Sequence, residues 1–160
     1  MTSYEELLQQ AYDQGIQVID YEFEGNMTGY YCNNVAFINK NAASDQERKC
    51  ILAEELGHHH TAVGDLTGED TLSKRKMELL GRKWGYNALI PFEDIISILV
   101  SSKCENLVSL AEQLEVTPEY LQEALKYYSQ KYGPEINYED YVVVFSNESL
   151  IVHPILDDII

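Results

Sequence analysis

Positive charge is scarce in this 160-residue chain. Eleven Lys and Arg stand against 27 Asp and Glu, a formal net charge of −16. That balance excludes a basic face of the kind that binds nucleic acid directly, and it suits a basic protein partner. Most of the carboxylates read as a solvated acidic surface. Cysteine is sparse as well: Cys32, Cys50 and Cys104 are odd in number, widely spaced and without a C-x-x-C pair. They read as reduced thiols of a cytoplasmic protein. No charged segment followed by an apolar one opens the chain, so no signal peptide is expected. No apolar run approaches the roughly 20 residues that span a bilayer, so no membrane association is expected. The hydrophobic share is 45%, ample for a core. The length suits one domain, or one domain with a helical appendage.

Histidine is concentrated. Three of the four lie in Leu52-Ala53-Glu54-Glu55-Leu56-Gly57-His58-His59-His60. Upstream, Ser44-Asp45-Gln46-Glu47 has the form of a capping box, and no Pro or Gly intervenes before Gly57. The segment is therefore predicted helical, with Ile51, Leu52, Leu56 and Val63 as its apolar side. On a helix, positions four apart stack, so Glu54 and His58 are neighbours roughly 40° apart around the axis. Glu55 falls within about 100° of Glu54. One helix thus offers a carboxylate ligand, an imidazole ligand and a carboxylate base to one point. The H-E-x-x-H metallopeptidases use this layout, with two His on zinc and the intervening Glu as general base. Here Glu54 takes the place of the first His. A site with two carboxylates and one imidazole is harder and more negative, which makes manganese the alternative to zinc.

The string Cys50-Ile51-Leu52-Ala53-Glu54-Glu55-Leu56-Gly57-His58-His59-His60-Thr61 resembles the metal helix of the ImmA/IrrE metallopeptidases. The likeness is closest to the phage and prophage variant that carries Glu-Glu-x-x-His. A second block, Glu78-Leu79-Leu80-Gly81-Arg82-Lys83-Trp84-Gly85-Tyr86-Asn87-Ala88-Leu89-Ile90-Pro91, is similar to the family's E-x-x-A-x-x-[FW]-A-x-x-L-[LI]-x-P pattern. Gly81 and Gly85 stand where alanines are usual. The resemblance implies an α+β, zincin-like fold: a small antiparallel sheet and a metal-binding helix pair, then a helical part and a terminal hairpin. It makes Glu54, His58 and Glu78 the metal ligands and Glu55 the catalytic base. It implies a metal-dependent endopeptidase of a phage or mobile element that acts on a helix-turn-helix repressor. The alternative is a non-catalytic protein of the same fold that binds a repressor or toxin-like partner. His59 and His60 are open to an oxyanion or supporting role, or to plain exposure at a helix end. Residues alone leave another reading of Glu78 open, as an ion-pair partner of Lys74 or Arg82 at i−4 and i+4.

The remaining elements follow in order. Ser3 and Glu6 form a capping box for an amphipathic helix with Tyr4, Leu7, Leu8, Ala11 and Tyr12 on one side. Strands are expected over residues 16–23, 30–32 and 34–39, with Asn33-Asn34 at a hairpin bend. A polar loop is expected over residues 65–71. Ser73 is expected to cap the second metal helix, whose apolar stripe is Met77, Leu80, Trp84 and Ala88. Its interior glycines each cost roughly 1 kcal/mol against alanine, so a second backbone is expected to approach there, with Gly57 on the facing side. Pro91 closes a core of residues 1–91, with which residues 92–160 are expected to form one compact domain. Residues 92–160 are expected to form helices over 92–101 and 106–114, a third capped by Thr117 and Pro118, and a hairpin of residues 141–145 and 150–152. Leu110 to Leu121 has the rhythm of a helix-turn-helix, read as a packing or partner-binding hairpin because of its charge.

Overall fold

The computed structural model describes residues 3–61, 71–101, 104, 106–146 and 149–155. The expected loop over residues 65–71 and the helix stop at Gly64 lie outside the described residues, apart from Thr71, as do Val63 and the tip of the last hairpin, Asn147-Glu148. The chain divides into two compact units, Met1–Pro91 and Phe92–Ile160. Among the described residues, no helix is long and apolar enough to cross a membrane. The fold is α+β and zincin-like.

The first unit runs α1 (Tyr4–Asp13), β1 (Gln17–Tyr21), β2 (Gly29–Cys32), β3 (Val35–Asn39), α2 (Asp45–Thr61) and α3 (Thr71–Leu89). Ser3 and Glu6 close the capping box on α1. Leu7 and Ala11 are buried, whereas Tyr12, expected on the same stripe, is 77% exposed. The bend between β2 and β3 is Asn33-Asn34, both at positive φ of 49° and 61°. That pair matches the right-handed strand twist a tight hairpin requires.

The sheet departs from the all-antiparallel expectation. Its order is β1-β3-β2, and β1 runs parallel to β3 while β2 runs antiparallel to it. The tight Asn33-Asn34 bend obliges β2 and β3 to pair. Residues 22–28 are long enough to carry the chain from one side of β3 to the other, across two strand spacings of about 4.8 Å. Ala36 and Ile38, on one face of the central strand, are fully buried. The opposite face carries Phe37 against Tyr21 and Tyr30, at ring-centroid distances of 5.7 and 6.5 Å.

Helix α2 packs on α1, on strands β2 and β3, and most extensively on α3. It is therefore buried on most of its circumference, at Cys50, Ile51, Leu52, Ala53, Glu55, Leu56 and Gly57, rather than along one stripe. At its start Glu47 N–H donates to Ser44 Oγ at 3.1 Å. The Glu47 carboxylate accepts from Ala43 N–H at 2.6 Å, one residue before the position a regular capping box would use. Helix α3 already begins at Thr71, so Ser73 lies inside its first turn and is not the cap. Its buried strip is also different from the expected one. Gly81, Gly85, Tyr86, Leu89 and Ile90 are buried, while Leu80 is 48% exposed. Gly81 lies on the packed side, where the backbone of Gly57 comes close to its carbonyl.

The second unit runs α4 (Phe92–Ser101), α5 (Leu107–Gln113), α6 (Pro118–Tyr132), β4 (Glu135–Tyr138), β5 (Tyr141–Ser146) and β6 (Ser149–Pro154). Thr117 caps α6 through a bond from Tyr120 N–H, with Pro118 in the first turn. Gly133 ends α6 at φ +89°, a conformation that favours glycine. The expected terminal hairpin is a three-stranded antiparallel sheet, β4-β5-β6. The missed strand β4 pairs with β5 from Glu135↔Val144 to Tyr138↔Tyr141, which leaves Glu139 and Asp140 as the turn. Phe92 packs on the rings of Tyr128 and Tyr132 at 5.4 and 4.9 Å, and Val143 is fully buried.

Candidate metal centre

Two helices of the first unit build this site. Glu54 and His58 are one turn apart on α2, and Glu78 and Arg82 are one turn apart on α3. They pair in reverse order, so the helices run in opposite directions. His58 Nε2 lies 3.4 Å from Glu78 Oε2. Arg82 Nε donates to Glu54 Oε1 at 3.1 Å. Ligand atoms of Glu54, His58 and Glu78 all lie within 4.8 Å of one another. Arg82, one of the two cations weighed as a partner for Glu78, thus reaches across to Glu54.

Glycine permits this approach. A Cβ added at Gly57 would collide with the Gly81 carbonyl oxygen and come within 2.7 Å of its carbon. A Cβ at Gly81 would come within 2.8 Å of His58 Nδ1. The two glycines sit where α2 and α3 cross, and the His58 ring fills the room that Gly81 leaves. The expectation of close backbone approach on this strip is met.

Glu55, about 100° round α2 from Glu54, lies against the sheet. It is only 6% exposed. Burial, and then the nearby carboxylates of Glu54 and Glu78, together push its carboxyl up to about 8. Its neighbour is Gly29 of β2, where a Cβ would collide with Glu55 Oε1. Tyr31, two residues on and on the same face of β2, brings its hydroxyl 2.6 Å from His59 Nδ1. Glu55 and His59 are themselves one helical turn apart, so strand and helix run side by side in register. Gly29 and Tyr31 were not singled out from sequence. The available signal was a glycine at the start of a strand, which often marks close approach of another group.

The other two histidines diverge from the group. His59 turns to the sheet through Tyr31. His60 is exposed and stacks on Trp84 of α3, at 4.4 Å between centroids and 17° between planes. Partial burial, and then the charge of His59, hold the His60 pKa below its ordinary value. His153 is exposed on β6 in the second unit. Cys50 is buried on α2. A separate cavity of about 710 Å³, lined by Leu107, Leu125, Lys126 and Phe145 among others, lies within the second unit and holds none of these groups.

One imidazole and two carboxylates converging from two helices, beside a buried third carboxylate, form a donor set that fits a divalent cation of zinc or manganese type. Over residues 11–126 the chain matches the family model described as the IrrE N-terminal-like domain, a peptidase family. The chain belongs to this family. Searches of curated proteins and of solved structures returned no match. The family match spans the sheet, both helices of the centre, and α4, α5 and the first part of α6. As an ImmA/IrrE-type domain the chain has a metallopeptidase-like fold, and the donor group lies on the helix pair of that fold.

Proposed function

We propose that the chain is a metal-dependent endopeptidase of a phage or mobile element, with a helix-turn-helix repressor as its substrate. Glu54, His58 and Glu78 would hold zinc, or manganese as the alternative, and Glu55 would be the catalytic base. The observation that carries the reading is the convergence of three donor side chains beside one buried carboxyl. A divalent ion there supplies Lewis acidity, polarising the scissile carbonyl and making water a better acid. Glu55 would take the proton that the attacking water loses and return it to the amine that leaves as the peptide bond breaks. Packing against Gly29 holds the carboxyl in place and keeps bulk water from its sheet side. Among the described residues the outer edge of β2 has no strand partner, and it lies beside α2. An extended substrate segment would add there by strand pairing. The net charge of −16 favours a basic partner, and a DNA-binding repressor is one.

The test is incubation of the zinc-loaded protein with the repressor encoded beside it, read by intact mass. Cleavage that disappears in Glu55→Gln, with metal content unchanged, is the expected result. Full activity in that variant removes Glu55 as the base.

One observation favours the second reading, a binding protein of the same fold. Glu54 stands where the H-E-x-x-H peptidases have His, and its carboxylate is engaged by Arg82. A stable complex with the repressor, whose mass stays unchanged after long incubation with metal, would select that reading.

A further inference from the structure

The two rungs between α2 and α3 are chemically unlike. His58 faces Glu78, and Glu54 faces Arg82. Replacing the usual His by Glu54 adds one negative charge to a centre that already contains Glu55 and Glu78. Arg82 adds one positive charge on the same rung, four residues after Glu78 on the same helix. The guanidinium is always charged and donates through fixed N–H directions, so it suits a carboxylate that must keep one orientation. In this arrangement a ligand of the centre is held by an internal cation.

We infer that Arg82 is the resident counter-cation of the centre, orienting Glu54 in the metal-free protein and competing with the divalent ion for its carboxylate. This rests on the metal-site reading above. Arg82 is a positioning residue, since it acts through Glu54. Three consequences follow from its place in the fold. Without metal, Arg82 offsets repulsion among the carboxylates and so supports the α2–α3 pair. When metal enters, the same positive charge opposes it. The opposition depends on Glu54, because that carboxylate is the group the two cations share. The Arg82 and Glu54 side chains are 47% and 29% exposed, so solvent moderates the effect to about three- to tenfold in affinity.

The experiment uses the full chain, stripped of metal, with zinc and manganese each titrated by competition against a chromophoric chelator. Wild type is compared with Arg82→Gln, Arg82→Lys, Glu54→His and the double variant Glu54→His with Arg82→Gln. Thermal melting of each metal-free protein is recorded alongside. Arg82→Gln is expected to bind zinc about three- to tenfold tighter and to melt lower without metal. Arg82→Lys, which keeps the charge but not the fixed donor direction, is expected to bind zinc near wild type and to melt between wild type and Arg82→Gln. In the Glu54→His background, Arg82→Gln is expected to change affinity by less than about twofold and to leave melting unchanged, as distant sites without a shared partner behave. Unchanged or weaker zinc binding in Arg82→Gln overturns the inference while the metal site stands. Equal tightening in both backgrounds also overturns it, because Arg82 would then act as a remote charge. Absence of zinc and manganese binding in wild type overturns the metal site itself, and the inference with it.

Discussion

The Tyr31 hydroxyl lies 2.6 Å from His59 Nδ1, tying an edge strand to the helix that carries the candidate metal ligands. The same hydroxyl is 3.1 Å from Asn34 Oδ1, so the hairpin bend and the helix meet at one oxygen. Tyr31→Phe removes both contacts and keeps the ring. It is expected to cost about 1 kcal/mol, the usual net worth of the part-buried bond to His59, since the exposed contact with Asn34 is replaced by water. A double-mutant cycle with His59→Ala by urea denaturation checks it. Coupling near zero between the two substitutions would show that the bond contributes nothing.

The Glu55 carboxyl sets a pH dependence for the metal-free protein. In the folded state it holds its proton up to about pH 8, and in the unfolded chain it loses it near 4.5. Between these values the folded state binds more protons than the unfolded one. Stability therefore falls as pH rises through that window. The expected loss is on the order of a few kcal/mol. Urea denaturation at pH 5 and pH 8 measures it, and Glu55→Gln should flatten the difference. An equal slope in that variant would assign the dependence to other groups.

Gly57→Ala tests the helix crossing. Helix propensity favours the alanine by roughly 1 kcal/mol. Its Cβ, however, meets the Gly81 backbone, which cannot rotate away. The helices must separate, at about 1–3 kcal/mol for an overpacked contact. Net destabilisation and weaker zinc binding are expected together. Gly81→Ala, whose added Cβ meets the His58 ring rather than backbone, should be the milder of the two in stability. Thermal melting and zinc titration of both variants decide the order.

Zinc added to the stripped protein should raise its melting temperature. At a free concentration about 100 times Kd the gain is ~2.7 kcal/mol. A chelator should reverse the gain, and His58→Ala should abolish it. A shift of equal size in His58→Ala would place the ion elsewhere on this acidic chain.

Much of this molecule was legible from neighbours in the chain. Ser3 with Glu6, Thr117 with Pro118, and Asn33 with Asn34 act across one to three residues, so their geometry is implied by local chemistry alone. The Glu54–His58 spacing is of the same kind, since one helical turn sets it. Gly81 signalled a close neighbour because an interior helix glycine is costly unless something fills the space.

What remained depended on contacts between distant segments. Whether β1 would lie beside β2 or cross to β3 turned on how residues 22–28 pack, and no local preference distinguishes the two. Strand β4 is four residues long and is held by its pairing to β5, so its own pattern was too short to show it. Leu80 is helical and apolar, yet the rotation of α3 on α2 leaves it exposed. The same rotation brings Arg82 to Glu54 and sets Glu78 opposite His58. The residue types and their spacing along each helix were thus written in the chain. The facing of one helix on the other, which decides which charge meets which, came only from packing: backbone contact at Gly57 and Gly81 admits one crossing and excludes its neighbours.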